Sequence, residues 1–209
     1  KYSVFKYDRK NPNSLPYNYI SSIVQTHSNN FFLGSPVGLI KITNPWSEKP
    51  SFNKIVINPV APEANVRHLY YDGTKLFVVL PWRVFTYDEK TNASTELIKI
   101  SDSLTNTSGF ILSSMAIDAS GNLWLGSMNG LLYFEKTNAG FDKKNYKLFN
   151  HQENDTNSLR CQTINDIKIS VDGTIWICTP NGLSKVINRN DKISFINYST
   201  KNGLKNNMV

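Results

Sequence analysis

Two stretches of this chain repeat one pattern at a distance of 52 residues: Gly121-Asn-Leu-Trp-Leu-Gly-Ser-Met-Asn-Gly-Leu131 and Gly173-Thr-Ile-Trp-Ile-Cys-Thr-Pro-Asn-Gly-Leu183. In both stretches a glycine precedes a short apolar run that contains a tryptophan, and an Asn-Gly pair follows that run. A repeat of this length indicates a supersecondary unit that stacks on copies of itself. The nature of one unit therefore decides the fold.

Two weaker copies lie upstream. The large apolar residues on which the four copies align are 45, 47 and 52 residues apart; they are Phe32, Phe77, Trp124 and Trp176. Each copy also has two apolar residues three positions apart, eight or nine residues before the aromatic one: Ile20/Ile23, Val66/Leu69, Leu112/Met115 and Ile164/Ile167. The chain thus contains four units.

Short alternating apolar runs between Asn, Asp, Gly and Pro turn residues predict strands. In the fourth unit these strands are Ile164–Ser170, Ile175–Thr179, Leu183–Ile187 and Ile193–Tyr198. The first residues, Lys1–Tyr7, parallel Asn145–Phe149, so the chain is predicted to open inside a strand. No stretch combines a sustained helical apolar stripe with caps, and we expect almost no helix.

Four strands in about 45 to 50 residues, repeated, are typical of β-propeller blades. We predict an all-β fold of such blades, with four antiparallel strands each and repeats at about 1–51, 52–94, 95–145 and 146–192, then the start of a further repeat at 193–209. A β-sandwich is the alternative, but it does not require the same Gly-x-x-Trp turn in each unit. The four aligned aromatic residues are predicted to pack between neighbouring sheets, with structural turn glycines at Gly121, Gly130, Gly173 and Gly182.

The third and fourth units, over 118–133 and 166–183, resemble the two-component regulator propeller repeat. The segments that join units, 7–15, 149–159 and 198–204, resemble the blade-to-blade linker of that family. The resemblance covers nearly the whole chain, and the second unit matches it least well.

The resemblance implies the periplasmic sensor region of a Bacteroidetes hybrid two-component histidine kinase, which is the ectodomain of an inner-membrane protein and detects oligosaccharides derived from glycans. It implies about seven blades per propeller, so this chain would be an incomplete arc. The implied partners are the remaining blades, adjoining sensor domains and a second copy in a homodimer of the parent. Kinase motifs do not occur in this sequence, so the chain itself is predicted not to be an enzyme. A closed ring of four or five blades is the alternative architecture.

The composition limits the class of partner. The chain has 209 residues and a formal charge of +7, but its eighteen Lys and five Arg are spread over all units without a nucleic-acid-binding motif. We therefore expect no nucleic-acid partner, although a positive surface favours acidic or sulfated glycans. No apolar stretch reaches the length of a membrane span, so this segment is not expected to insert in a membrane.

The cysteines and histidines do not predict a cofactor. Cys161 and Cys178 are placed too far apart to form a disulfide, and Cys178 takes the position of a small residue, which predicts a buried thiol. The three histidines, His27, His68 and His151, fall in different units without a zinc-binding spacing. We predict no metal and no cofactor.

A ligand site is predicted on one face of the blades. In a propeller, the loops that enter the inner strands and those that join the second and third strands emerge on the same face. There the second unit has Leu80-Pro-Trp-Arg83 in place of a glycine-containing turn, and it has Arg67 where its siblings have Ser21, Ser113 and Asn165. Aromatic rings and planar donors suit sugar recognition, so the predicted site residues are Trp82, Arg83, Arg67, His68, Tyr17, Tyr19 and Arg160.

A structural role is the alternative for these residues. Trp82 would then pack on a neighbouring blade, and Arg67 would pair with Glu63 or Asp72. For the whole chain, the first alternative to a sensor is a protein-interaction propeller without a small-molecule ligand.

A propeller-fold glycosidase or lyase is the second alternative. Ser170–Trp176 is similar to the sialidase Asp-box but one residue short of it, and that element forms a turn. Glycoside hydrolysis needs two carboxylates facing each other across the bond. The predicted ligand face offers only Glu63 and Asp155, in different units, so a catalytic role is not favoured.

Overall fold

Four antiparallel sheets of four strands make up the fold. The computed structural model describes residues 2–57, 65–100, 110–142, 145–189 and 192–209. The first sheet contains β1 (Ser22–Gln25), β2 (Phe31–Ser35), β3 (Gly38–Thr43) and β4 (Ser51–Ile55). The second contains β5 (His68–Tyr71), β6 (Leu76–Val79), β7 (Arg83–Tyr87) and β8 (Ser94–Lys99).

The third and fourth sheets follow the same order. The third contains β9 (Leu112–Ile117), β10 (Leu123–Ser127), β11 (Gly130–Phe134) and β14 (Lys147–Phe149). A two-stranded ribbon, β12 (Lys136–Thr137) with β13 (Gly140–Phe141), is inserted before its outer strand and lengthens this unit. The fourth contains β15 (Asp166–Ile169), β16 (Ile175–Thr179), β17 (Gly182–Arg189) and β18 (Lys192–Tyr198). The helical structure in the described residues is one 3-10 turn, Thr200–Asn202.

The fold class predicted from the repeats is confirmed. Within each sheet, sequential strands pair as neighbours, and the sheets are open. The four strands predicted for the fourth unit are present with shifted ends, and the second has the predicted bounds. Gly182 shows why glycine is needed at these turns, since its φ is +124° and a Cβ atom there would collide with the Tyr198 carbonyl oxygen.

The prediction that the chain opens inside a strand is wrong. Residues Tyr2–Tyr7 are not in a strand, whereas the segment that they parallel contains β14. A strand needs a partner for its amide and carbonyl groups, and β14 has one in β11, with Leu131 opposite Phe149. Tyr2–Tyr7 pair with no strand among the described residues.

Each of the four sequence repeats forms one sheet, and the four sheets fall into two larger compact units. These are called unit 1 and unit 2 from here on and are described separately. Unit 1, Lys1–Lys99, holds the first two sheets, and unit 2, Ile100–Val209, holds the last two. In unit 1, Phe32 is fully buried and packs with side chains of both sheets, including Leu39, Val66, Leu69 and Phe85. Its aromatic ring is therefore part of the core between these sheets.

The other aligned aromatic residues differ in burial. Phe77 in unit 1 and Trp124 in unit 2 are buried. Trp124 also donates its indole N–H to Asp118 Oδ2 at 2.9 Å. Trp176 is half-buried, with its ring 5.8 Å from that of Tyr198 and 5.7 Å from Lys185 Nζ.

Two hydrogen bonds join the sheets within unit 1. Val66, at the entry to β5, donates its amide to the Ser35 carbonyl oxygen at 2.9 Å and accepts from Ser21 Oγ at 2.6 Å. We call this arrangement the inter-sheet hydrogen-bond pair. It needs a close approach, because a Cβ atom on Gly34 would lie 2.8 Å from Val66 Cγ1. Glycine on β2 therefore permits contact between the sheets.

Unit 2 repeats the inter-sheet hydrogen-bond pair. Ile164 donates to the Ser127 carbonyl oxygen at 2.9 Å and accepts from Ser113 Oγ at 2.6 Å. Here Gly126 takes the place of Gly34, since a Cβ on it would lie 2.6 Å from Ile164 Cγ2. The same geometry thus recurs with different side chains around it.

A further copy of the pair is found at Val209. This residue donates to the Thr179 carbonyl oxygen at 3.2 Å and accepts from Asn165 Nδ2 at 2.7 Å. Cys178 stands where the other sheets have Gly34 and Gly126, and it is half-buried, so the thiol is less buried than predicted. Burial, followed by the charge of Asp166, raises the pKa of the Cys178 thiol.

A β-bulge at the start of the inner strand β9 leaves Ser113 outside the ladder, because Gly126 is opposite Ser114 and Ser127 is opposite Leu112. Ser21 donates its amide to the Gly34 carbonyl oxygen, and Ser22 is also opposite Gly34 in the ladder. Asn165 and Asp166 have the same relation to Cys178. Two residues opposite one is the definition of a bulge, which turns the first side chain out of the ladder direction.

The predicted linkers are alike in structure. Ser14 Oγ accepts from the Asp8 amide at 2.9 Å, and Ser158 Oγ accepts from the Gln152 amide at 2.9 Å. The leucines that follow these serines are buried. In each case the linker also accepts a hydrogen bond from an outer strand, since Phe52 N donates to Asn13 O and Phe195 N donates to Asn157 O.

Asp172 stabilises the hairpin turn between β15 and β16 of the fourth sheet. Its carboxylate accepts from Ser170 Oγ at 2.5 Å and from the Thr174 amide at 3.0 Å. These two bonds, with the Ser170 bond the larger cause, lower the pKa of Asp172 to about 2. The Asp-box-like segment is therefore a turn whose carboxylate is occupied by its own loop.

Ser22 in unit 1 and Ser114 in unit 2 occupy equivalent positions, but their hydroxyl groups differ in hydrogen bonding. Ser22 Oγ accepts from the Leu69 amide at 3.2 Å. In unit 2 the equivalent amide, that of Ile167, donates to Asp166 Oδ1 at 2.9 Å. Ser114 Oγ, at the position of Ser22, is buried and has no hydrogen-bond partner within the described part of the chain.

These two serines give a matched test. Ser22→Ala should destabilise the protein by about 1 kcal/mol, because the Leu69 amide loses its acceptor. Ser114→Ala should be neutral or stabilising by up to about 1 kcal/mol, because it removes a buried hydroxyl that has no partner. Urea denaturation of both variants checks this; equal losses of stability would contradict the hydrogen-bond assignment.

The Asp172 turn makes a pH-dependent contribution. The pKa of this group is depressed on folding, so its stabilisation is present above about pH 3.8 and is lost as the pH falls through about 2. Asp172→Asn should therefore lower the melting temperature at pH 5, and the difference from wild type should shrink as the pH falls from about 3.8 to about 2. Glu153→Gln, which removes an exposed carboxylate from a loop, is the control for the loss of one charge. A difference in melting temperature that persists unchanged to pH 2 would contradict this role for Asp172.

Candidate functional site

One end of unit 1 gathers the loops that enter the inner strands. Strands β1 and β5 begin side by side, because Ser21 contacts Val66 and Ser22 contacts Leu69. In an antiparallel sheet of consecutive strands, the turn between the second and third strands lies at this same end. The segment before β1 and the turns β2–β3 and β6–β7 therefore share one end of the unit, as predicted. The predicted loop at 58–64 lies outside the described residues.

Three tyrosines surround a cavity at this end. The cavity has a volume of about 580 Å³ and is lined by Tyr7, Pro16, Tyr17, Asn18 and Tyr19. The tyrosines are 50%, 45% and 60% exposed in that order, so their rings are accessible to solvent. The Tyr7 amide donates to Asn18 Oδ1 at 2.7 Å, which joins the two segments that form the walls. We call this the tyrosine cavity.

The scaffold does not require these aromatic rings. When the two linkers are aligned on Ser14 and Ser158, the positions of the three tyrosines correspond to His151, Cys161 and Thr163. Those residues enter the same loop in unit 2, with the same serine hydrogen bonds. Because a linker without tyrosines forms this structure, the tyrosines are free to serve another purpose.

The chemistry of the tyrosine cavity suits a polyhydroxylated ligand. An aromatic ring offers an apolar face, and the phenol group both donates and accepts hydrogen bonds. Asn18 adds an amide with the same double capacity. No carboxylate, histidine or thiol is among the described residues that line this cavity.

The predicted residues of the β6–β7 turn are held by the scaffold. Arg83 Nη1 lies 2.7 Å from Glu96 Oε2 on β8, and its carbonyl accepts from the Leu80 amide at 2.8 Å. Trp82 is half-buried at this turn. The guanidinium is thus already paired with a carboxylate, which reduces its capacity to bind a ligand.

Arg67 and His68 begin the inner strand of the second sheet. Both are half-buried, and the Arg67 amide donates to the Val79 carbonyl oxygen at 2.8 Å. Arg67 occupies the position from which Ser21 makes its inter-sheet bond. Pairing of Arg67 with Asp72, the structural alternative, does not fit the strand direction, because Asp72 follows the far end of β5 and accepts from Thr74 and Lys75. The other suggested partner, Glu63, lies outside the described residues.

Arg160 belongs to unit 2 and supports a turn there. Its Nε donates to the Asn181 carbonyl oxygen at 3.0 Å, and its amide donates to Ser184 Oγ at 3.1 Å. The turn between β16 and β17 is therefore held partly by this side chain. Of the predicted site residues, the structure brings Tyr17 and Tyr19 around one cavity.

Sequence reasoning missed Tyr7. It lies in a linker, and the comparison of units was made on loops that enter or join strands. The signal was available in the alignment of linkers, where Tyr7 corresponds to His151. Its position across the cavity from Tyr17 depends on the fold of the linker and does not follow from strand spacing.

Within the described ranges, no three His, Cys, Asp or Glu side chains are grouped so that they would hold a metal ion. Cys161 and Cys178 are free thiols. No helix of the described residues has the length and apolar character needed to cross a membrane.

Comparison with solved structures identifies the fold. The chain superposes on the extracellular domain of the putative hybrid two-component system BT4673 from B. thetaiotaomicron with a TM-score of 0.66 and 22% identity, over 93% of this chain and 23% of that one. The extracellular domain of the putative hybrid two-component system BT3049 from B. thetaiotaomicron superposes with a TM-score of 0.64 and 17% identity, over 99% of this chain and 25% of that one. Virginiamycin B lyase from Staphylococcus aureus gives 0.55 and 12%, over 84% and 54%.

These neighbours agree with the resemblance found in the repeats, so the recognition is confirmed at the level of fold. The chain spans about a quarter of the length of the two-component ectodomains that it matches. No protein-family model and no curated protein matches the sequence.

Proposed function

We propose that this chain is part of the sensor ectodomain of a hybrid two-component system, and that it binds an oligosaccharide at the tyrosine cavity. One observation carries the proposal: Tyr7, Tyr17 and Tyr19 surround a cavity of about 580 Å³, whereas the equivalent linker in unit 2 has no tyrosine and carries His151, Cys161 and Thr163 at these positions. The volume falls within the range of small-molecule sites, about 300–1,000 Å³.

The fold neighbours and the sequence repeats support the sensor assignment. Two of the neighbours are described as extracellular domains of putative hybrid two-component systems. On this proposal the chain lies in the periplasm, and the catalytic histidine kinase belongs to the parent protein. The remaining blades of the propeller and adjoining sensor domains are the proposed partners within that protein.

A binding role is preferred to a catalytic one. Some propeller neighbours are enzymes, including a lyase, but the described lining of the tyrosine cavity has no acid-base pair. A formal charge of +7 supports an acidic or sulfated glycan, since opposite charge raises the rate of encounter. The proposed mechanism is that ligand stabilises one packing of the ectodomain and so changes the relation of two protomers in a homodimer.

The tyrosine cavity can be tested by replacing two of its tyrosines with small polar residues, similar in size to Cys161 and Thr163 of the equivalent linker. Tyr17→Ser with Tyr19→Thr should weaken oligosaccharide binding by about tenfold or more, because the aromatic faces are lost. Isothermal titration calorimetry with a panel of neutral, uronic-acid and sulfated oligosaccharides measures this. Wild-type protein should bind at least one member of the panel, with a rise in melting temperature.

Tyr2→Ser is the matched control, because Tyr2 is fully exposed and does not line the cavity. Trp82→Ala and Arg83→Ala test whether the site extends to the second sheet. Wild-type affinity in the tyrosine variant would exclude the cavity as the binding site. Absence of binding to every oligosaccharide would favour the protein-interaction alternative.

A further inference from the structure

We infer that unit 1 has a second carbohydrate-binding site, at the end opposite the tyrosine cavity, with Trp46 as its aromatic platform. The site goes beyond the proposed function because no residue of it belongs to the tyrosine cavity. It shares with the proposed function only the class of ligand, an oligosaccharide.

Trp46 is an exposed tryptophan in a fixed position. It lies in the turn between β3 and β4 and is 79% exposed. The centre of its ring lies 5.6 Å from the centre of the Phe31 ring, with an interplanar angle of 80°. The turn itself is closed by Ser47, whose amide and hydroxyl both donate to the Asn44 carbonyl oxygen, at 3.0 and 2.9 Å. The indole is thus held by its neighbours while most of its surface faces solvent.

Polar groups line the cavity beside this ring. The cavity measures about 690 Å³, and its lining includes Asn30, Lys41, Thr43 and Asn44. Lys41 Nζ lies 5.8 Å from the centre of the buried Phe32 ring, which is not among the residues that line the cavity. An aromatic face beside amide and hydroxyl groups fits a sugar ring, which presents C–H groups on one face and hydroxyls at its edge.

The lining of this cavity is mixed. Five polar residues contribute to it, together with Ile42, Pro45 and Trp46. A polyhydroxylated ligand can use both kinds of surface, whereas an apolar partner would leave the amide and hydroxyl groups unpaired.

The site continues toward the second sheet. Asn30 Nδ2 donates to Glu89 Oε2 at 2.7 Å, and Glu89 lines an adjoining cavity of about 540 Å³. That cavity contains Thr74, Lys75 and Lys90 among its polar side chains. The ligand is therefore an oligosaccharide chain of several sugars, with one ring on Trp46 and the following sugars along the Asn30–Glu89 contact.

Asp88 is a second acidic residue that lines this cavity. Its carboxylate accepts from the amides of Thr91 and Lys90, and these bonds lower its pKa. The carboxylate is thus used by its own turn. Glu89 is similarly engaged by Asn30.

The test follows the four indole N–H signals in ¹H–¹⁵N correlation spectra, one for each tryptophan, with Trp46→Phe assigning the signal of Trp46. The same panel of neutral, uronic-acid and sulfated oligosaccharides is titrated into the whole chain. We expect at least one oligosaccharide to shift the Trp46 signal in a saturable way, and to do so also in the Tyr17→Ser, Tyr19→Thr variant. Trp46→Ala should weaken that binding about tenfold, and Trp46→Phe should retain most of it.

Val56→Ala, which removes an exposed apolar side chain elsewhere in unit 1, is the matched control and should bind like wild type. Binding that depends on the tyrosines and leaves the Trp46 signal unmoved would overturn this inference and leave the proposed function standing. A Trp46 response with wild-type affinity in the Tyr17→Ser, Tyr19→Thr variant would support this inference and exclude the tyrosine cavity as the binding site. A Trp46 signal that no oligosaccharide moves, or that changes only with protein concentration, would also overturn the inference.

Discussion

The inter-sheet hydrogen-bond pair is the contact on which the architecture within each unit depends. A buried amide and carbonyl at the entry to an inner strand must find partners, and they find them on the preceding sheet. In unit 1 the partners are Ser35 and Ser21, and Gly34 allows the backbones to approach. This requirement explains why small residues recur at these positions. It also fixes where each inner strand starts, and hence where the loop before it emerges.

The inter-sheet hydrogen-bond pair helps to distinguish loop residues that contact the scaffold from loop residues that differ between the units. Arg67 replaces a serine at the position that makes the inter-sheet bond in the first sheet, and Arg83 is paired with Glu96. The Arg83 side chain is therefore engaged with the scaffold, whereas the contact described for Arg67 is that of its backbone amide with the Val79 carbonyl oxygen. Tyr17 and Tyr19 lie just before the constrained position, where unit 2 accepts Cys161 and Thr163. Their difference from the sibling unit is the basis of the proposed oligosaccharide site.

Sequence patterns could predict the fold because each unit repeats the same physical solution. Trp124 and Trp176 lie on the second strands that the pattern predicted, and the turns between strands follow the glycines. The candidate site was harder to predict, because a departure from the repeat does not reveal what a side chain touches. The Arg83–Glu96 contact depends on the pairing of β7 with β8, which carries an irregular register between Val84 and Phe85. Trp46 was missed because it lies at the end of the sheet that the comparison of loops did not include.

The linker before β1 offers a route by which ligand binding would affect the sheet as a whole. Asn13 accepts a hydrogen bond from the Phe52 amide on β4, the outer strand, while the same segment runs on through Tyr17 and Tyr19 into β1, the inner strand. Ordering of the tyrosines by a ligand would therefore restrain both edges of the first sheet. A ligand that binds only the folded form adds RT ln(1 + [L]/Kd) to the free energy of unfolding. Since Val66 ties the second sheet to the first, part of that gain is expected to extend across unit 1.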